Sequence, residues 1–301
     1  MEAPLQTLMK VSATVVATTT LGVSEDGAEG KVPSWEDISY MYSCMVSSTI
    51  HARMDSPLNG NDIRSRLIVA LDLPDTASAR QMVRDPDGVA TFFKVGLALQ
   101  LAPGVEDLIR SLIGEGKKVF LDYKYYDISE TLKKAVGRAA ALGVSFLTIH
   151  GPSNLIRAAV EARGSSALKL FTVTVLTSMD AGDIAEMGYT KHSVEALVLF
   201  RARKALEAGC DGTIASGLEA RKIKELSHNK LLVATPGIRP EGYGPDDQKR
   251  RSTPRWAILE GADYLVVGRP ILEPKDTTPR KAAERILADM ESAFQALRQE
   301  S

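Results

Sequence analysis

The 301-residue chain has only two cysteines, Cys44 and Cys210, far apart and without a Cys-x-x-Cys pair. This argues against a disulfide framework and against a cysteine-rich zinc site, and it fits a reducing, cytoplasmic setting. An excess of charge of one sign is missing as well: 37 Lys and Arg stand against 38 Asp and Glu, a formal charge of −1. Such a chain lacks the cationic surplus that neutralises a nucleic-acid backbone or holds a polybasic segment on an anionic membrane, so neither partner is expected. Long apolar runs are also absent. The longest candidate, Val11 to Val23, is diluted by Ser and Thr and falls short of the roughly 18 consecutive apolar residues of a membrane span. It is a poor secretory signal too, because only Lys10 precedes it, and the lack of Arg up to Ile50 speaks against an organelle-targeting peptide. His51, His192 and His228 show no metal-ligand spacing, and no metal is expected.

What is present divides near residue 62. Residues 1–62 are rich in Ser, Thr, Gly and Met, show no sustained period, and end in the turn formers Ser56-Pro57-Leu58-Asn59-Gly60-Asn61. They read as a poorly structured N-terminal extension. Met54 suggests an alternative translation start that would make the upstream part dispensable. Residues 63–301 read as a single folded domain.

From Arg66 onward, short β-branched runs begin at Leu67, Phe92, Val119, Phe146, Leu170, Gly212, Leu231 and Tyr264. Helix-like segments lie between them over Thr76–Arg84, Val105–Gly114, Glu130–Leu142, Leu155–Ala162, His192–Ala208, Leu218–Leu226 and Pro254–Glu260, and Arg280–Leu297 follows the last run. Alternation of strand and helix implies parallel strands joined by right-handed crossovers. Near-continuous apolar strands imply a sheet covered by helices, and eight such units match an α/β (β/α)8 TIM barrel better than a doubly wound open sheet.

In such a barrel, function sits at the carboxyl ends of the strands. Polar residues gather at those ends here: Asp72 ends the first strand, Lys94 sits in the second, Asp122 and Lys124 end the third, His150 ends the fourth and Thr177 follows the fifth. Arg239 and Arg269 follow the seventh and eighth. Asp122 and Lys124, two apart, point to one face of a strand, while Leu121 and Tyr123 point to the other. Buried charges must be paired, which makes an array with Lys94 from the next strand coherent. His150 reads more readily as structural than as catalytic. Gly268 permits close backbone approach of an anion and Arg269 offers a planar fork of donors, so the end of the eighth strand suits a phosphate. The long loop from Pro240 to Thr253 reads as a lid.

The string Asp122-Tyr-Lys124-Tyr-Tyr-Asp127-Ile128-Ser-Glu-Thr131 resembles the Asp-x-Lys-x-x-Asp-Ile-x-x-Thr signature of the orotidine 5′-phosphate decarboxylase family. The resemblance spans about Arg66 to Leu272 and takes in VALDLPD around Asp72, FFKVG around Lys94, LTS at Leu176–Ser178, TPGIRPEG at Thr235–Gly242, DDQKR at Asp246–Arg250 and YLVVGRPI at Tyr264–Ile271. Tyr123, Tyr125, Tyr126 and Ser129 depart from the commoner residues, and none of these changes removes a charge.

The resemblance implies conversion of orotidine 5′-phosphate to uridine 5′-phosphate and CO2 without a cofactor. In it Lys124, held by Asp122 and a second aspartate, stabilises a carbanion at C6 and protonates it, and Asp127 counts among the catalytic residues. Lys94 and Asp72 hold the ribose and the charge network, Thr177 and Ser178 meet the pyrimidine edge, and Arg239, Gln248, Gly268 and Arg269 hold the phosphate. It also implies a homodimer in which Asp127, Ile128 and Thr131 reach the partner's site. The rival readings are a metal-dependent sugar-phosphate decarboxylase or aldolase of the same barrel group, and a non-catalytic nucleotide-binding barrel.

Overall fold

Eight parallel strands close on one another in chain order: β1 (Leu67–Ala70), β2 (Phe92–Gly96), β3 (Lys118–Tyr125), β4 (Phe146–Ile149), β5 (Lys169–Val173), β6 (Gly212–Ile214), β7 (Leu232–Thr235) and β8 (Tyr264–Val267), with β8 pairing β1. The computed structural model describes residues 62–86, 88–244 and 249–299. The expected extension up to residue 61, with Met54, and Gln248 lie outside the described residues. The expected TIM barrel is the observed fold.

Helices cover the outside of the sheet: α1 (Thr76–Arg84), α2 (Val105–Gly114), α3 (Ser129–Leu142), α4 (Ser153–Arg163), α5 (Ala181–Glu186), α6 (Val194–Glu207), α7 (Gly217–Leu226), α8 (Pro254–Leu259), α9 (Arg269–Leu272) and α10 (Pro279–Gln299). All but α5 and α9 fall within one or two residues of the segments expected from composition. Those two lie outside the expected segments. A capping box between Asp180 and Asp183 starts α5, and a proline in the first turn starts α9. Among the described residues, no helix is long and apolar enough to cross a membrane.

The strands divide the apolar residues by face. Residues such as Leu67, Val69, Phe93, Val95, Val119 and Leu121 point outward and pack beneath the helices. The inward set is aromatic near the amino ends of the strands: Phe92, Phe120, Phe146, Phe171 and Tyr264 form one cluster. The Phe92 and Phe146 rings meet edge to face at 4.9 Å, as do Phe146 and Tyr264, the arrangement the ring quadrupole favours. Gly212 makes room for this floor, since a Cβ there would lie 2.5 Å from the Phe171 ring and 2.6 Å from the Leu232 carbonyl oxygen. Two residues further along three of these strands the inward position is polar. Phe92 is followed by Lys94, Phe120 by Asp122 and Phe146 by Thr148, so the period-two alternation that builds the floor also lays a polar layer on it.

Candidate active site

Above the aromatic floor lies a cavity of about 570 Å³ at the carboxyl ends of the strands, lined by residues that include Asp72, Lys94, Asp122, Lys124, Arg239 and Arg269. Four of these form a chain of alternating sign. Lys94 Nζ lies 2.9 Å from Asp72 Oδ1 and 3.4 Å from Asp122 Oδ2, and Lys124 Nζ lies 2.9 Å from Asp122 Oδ1. Asp72 does not end β1 as expected. The strand stops at Ala70, and Asp72 is brought over the barrel by the following turn, in which Leu71 N–H donates to the Lys94 carbonyl at 2.9 Å.

Of the two central members of the chain, Lys94 is buried and Asp122 is partly buried. Burial alone pushes the Lys94 ammonium pKa down, but the facing charges of Asp122 and Asp72 outweigh it and leave the pKa raised. Burial likewise pushes the Asp122 carboxyl up. Lys94, Lys124 and hydrogen bonds from Lys124 and Thr148 overturn this, and its pKa is lowered. Both groups thus stay ionised because each supplies what the other needs. Gly96 opens the space for the pair: a Cβ there would stand 2.7 Å from Lys94 Nζ and 3.2 Å from Asp72 Oδ1.

Lys124 reaches Asp122 through an irregular strand. Leu121 pairs with Leu147, but the next pair is Tyr125 with Ile149, so four residues of β3 advance against two of β4. In this bulge Lys124 adopts a φ of +50°, left-handed and rare for a residue with a side chain. The expected alternation survives: Asp122 and Lys124 line the cavity, while Tyr123 and Tyr125 pack toward the helices with ring centroids 6.1 Å apart. Tyr126 is exposed and meets the His150 ring edge on at 5.7 Å. Neither these three tyrosines nor His150 line the cavity. Burial, then the Arg201 charge, lowers the His150 pKa against a hydrogen bond to the Val173 backbone.

The other wall of the cavity carries Thr177, Ser178, Gly268, Arg269 and Arg239, all expected there from sequence. Arg239 is buried, donates to the Ile238 carbonyl at 2.8 Å, and sits over the Tyr243 ring at 5.3 Å from its centroid. Residues 245–248 of the expected lid lie outside the described residues. The loop's described flank is tied down. The buried Arg250 donates to Glu219 Oε1 at 2.6 Å and to the carbonyls of Val175 and Leu176 at 2.8 and 3.0 Å, and its N–H donates to the Thr177 carbonyl at 3.1 Å. Lys249 bridges Asp180 and Asp183 at 2.7 and 3.0 Å.

Three expected residues stand apart. Asp127, Ile128 and Thr131 are exposed immediately after β3 and at the start of α3, and they do not line the cavity of their own chain. Asp127 Oδ1 accepts from the Ile128 N–H at 2.7 Å. Thr148 and Glu219, in contrast, escaped the sequence reading. A threonine in an apolar strand looks like an ordinary β-branched residue, and a glutamate in the first turn of a helix looks solvated. Among the described residues no group of three His, Cys, Asp or Glu side chains is placed to hold a metal ion.

Residues 65–286 match the orotidine 5′-phosphate decarboxylase / HUMPS family. The chain belongs to this family. It is 53% identical over 231 residues to the orotidine 5′-phosphate decarboxylase of Nitrobacter winogradskyi, covering 77% of this chain and 95% of that one. The Methylococcus capsulatus enzyme of the same name is 43% identical, with 78% and 95% covered. Among solved structures, the crystal structure of orotidine 5′-phosphate decarboxylase from Lactobacillus acidophilus is similar with a TM-score of 0.64 and 34% identity, over 74% of this chain and 98% of that one. The family match takes in each of the charged residues of the array, from Asp72 to Lys124, and both arginines of the opposite wall.

Proposed function

We propose that the chain decarboxylates orotidine 5′-phosphate to uridine 5′-phosphate and CO2, the closing step of UMP synthesis, with Lys124 as the group that meets the reacting carbon. The observation that carries this reading is the ion array Asp72–Lys94–Asp122–Lys124 in a cavity whose other wall bears Arg239 and Arg269. When the bond from C6 to the carboxylate breaks, its electron pair stays on C6, where no neighbouring carbonyl takes it up as an enolate. A fixed ammonium beside C6 stabilises that charge, donates a proton to the carbon, and is reprotonated from solvent. The route needs no cofactor, because cation and proton both come from Lys124.

Asp122 supports this role by fixing the ammonium, and its charge also faces the substrate carboxylate. Lys94 and Asp72 suit the ribose hydroxyls, Thr177 and Ser178 the pyrimidine edge, and Arg239, Gln248, Gly268 and Arg269 the phosphate. Binding energy drawn from the phosphate organises the charged end for the reaction. The exposure of Asp127, Ile128 and Thr131 supports their contribution to the site of a second copy, in a cytoplasmic homodimer with two shared sites. Purified protein incubated with orotidine 5′-phosphate and excess chelator is expected to release stoichiometric uridine 5′-phosphate and CO2. Activity abolished by chelation would instead favour a metal-dependent sugar-phosphate enzyme of the same barrel group.

A further inference from the structure

Thr148 is fully buried on β4, next to the charge array. Its place follows from the bulge in β3. Between the pairs Leu121–Leu147 and Tyr125–Ile149, Thr148 is the one β4 residue that faces the extra length of β3. There the ladder leaves backbone groups of β3 to find other partners. The Thr148 hydroxyl supplies them. Its oxygen accepts from the Lys124 N–H at 2.9 Å and donates to Asp122 Oδ1 at 2.9 Å, with the Leu121 carbonyl at 3.5 Å. One hydroxyl therefore touches the backbone of Lys124, held at a φ of +50°, and the same carboxylate oxygen that receives the Lys124 ammonium.

We propose that Thr148 is a positioning residue of the decarboxylation, one that fixes the Lys124 backbone and the Asp122 carboxylate together so that the ammonium is aimed before substrate arrives. The inference rests on the decarboxylase reading of this site. Left-handed geometry is costly for lysine and persists where its surroundings determine it. The hydrogen bond to the Lys124 N–H is such a determinant. Asp122 is faced by Lys94 from β2, by Lys124 on its own strand and by Thr148 from β4, so its two oxygens are held from three sides. Without the hydroxyl, Asp122 Oδ1 keeps only the flexible ammonium on that side, and the part-buried Lys124 N–H loses this partner.

The test compares Thr148→Val, which keeps the shape and removes the hydroxyl, with Thr148→Ser, which keeps the hydroxyl and removes the methyl. Steady-state turnover of orotidine 5′-phosphate, calorimetric affinity for uridine 5′-phosphate and thermal unfolding are measured for each. Loss of a hydrogen bond to charged, transition-state groups predicts a kcat for Thr148→Val lowered by about 10- to 100-fold, while nucleotide affinity moves by less than about 3-fold. Thr148→Ser is expected to regain kcat to within about 3-fold of the parent even if it melts lower, because packing and positioning then separate. If Thr148→Val does not fold, Thr148→Cys, with a weakly bonding thiol, must fall below Thr148→Ser in kcat. A valine variant with parental kcat, or a serine variant as impaired as valine, overturns the positioning role. A parent protein that turns over no orotidine 5′-phosphate overturns the decarboxylase reading itself.

Discussion

Lys94 Nζ sits between two carboxylates, 2.9 Å from Asp72 Oδ1 and 3.4 Å from Asp122 Oδ2. Lys94 comes from β2, Asp122 from β3 and Asp72 from the segment after β1, so the contact is as much a clasp of the barrel mouth as a part of the site. Removing the cation leaves Asp122 facing a second carboxylate with only Lys124 as counter-ion. Lys94→Met is expected to destabilise the fold by roughly 3 kcal/mol, a value below that of a fully buried pair because Asp72 is half exposed. Urea unfolding at neutral pH reads this loss. Adding Asp122→Asn to Lys94→Met should recover part of the stability while leaving the protein inactive, and strict additivity of the two changes would show that the residues are not coupled.

The same pair sets a pH dependence. The Asp122 pKa is lowered in the fold, so its contribution is present above the ordinary carboxylate pKa and is lost as pH falls through the lower folded value. The Lys94 pKa is raised, so its contribution is present below the ordinary ammonium pKa and is lost as pH rises through the higher folded value. Stability measured by urea unfolding should therefore lose ground below about pH 4 and above about pH 10.5. In Lys94→Met the decline on the alkaline side should flatten, and an unchanged alkaline limb would remove Lys94 from the account.

Arg250 and Glu219 form a second buried pair, outside the reacting array but beneath the Thr177 segment. Arg250→Ala leaves the Glu219 carboxylate without its cation and frees the carbonyls of Val175 and Leu176, a loss of roughly 3–5 kcal/mol by unfolding measurements. Where that variant remains folded, its KM for orotidine 5′-phosphate is expected to rise about 10-fold or more, because Thr177 and the loop leading to Arg239 lose a shared anchor. The paired change Arg250→Met with Glu219→Leu should recover much of the stability but not the KM. Recovery of both would make the pair a matter of packing alone.

The barrel floor gives a prediction that does not involve the reaction. Gly212→Ala forces a methyl to within 2.5 Å of the Phe171 ring and 2.6 Å of the Leu232 carbonyl, and backbone is slow to yield. A cost of about 1–3 kcal/mol is expected, visible as a lower melting temperature. Combined with Phe171→Leu the penalty should shrink, whereas an undiminished penalty would place the strain at Leu232.

Much of this was legible in the sequence for identifiable reasons. A parallel sheet covered by helices produces unbroken apolar runs such as LIVALDL and YLVVG, and charged residues at the ends of such runs, Asp72, Asp122 and Lys124, have few places to go except the barrel mouth. Lys94 was legible because a lysine inside FFKVG must find a counter-charge. What stayed hidden depends on register and on space. The bulge in β3 is a relation between two strands, and the Thr148 hydroxyl acquires meaning only opposite it. Gly96 looks like a strand terminator until the position of the Lys94 ammonium is known. Arg250 was visible within DDQKR, but the burial of Glu219 beneath it was not, because that contact joins residues 31 apart.

The central claim is that Lys124 carries the chemistry rather than the binding. The measurement that tests it most directly follows the ultraviolet absorbance of orotidine 5′-phosphate with the parent protein and with Lys124→Ala, both in excess chelator, beside a calorimetric titration of each with uridine 5′-phosphate. The account predicts rapid conversion by the parent, turnover lower by several orders of magnitude in Lys124→Ala, and retention of nucleotide affinity by the variant to within about 10-fold. Conversion by Lys124→Ala at a rate near that of the parent would contradict it.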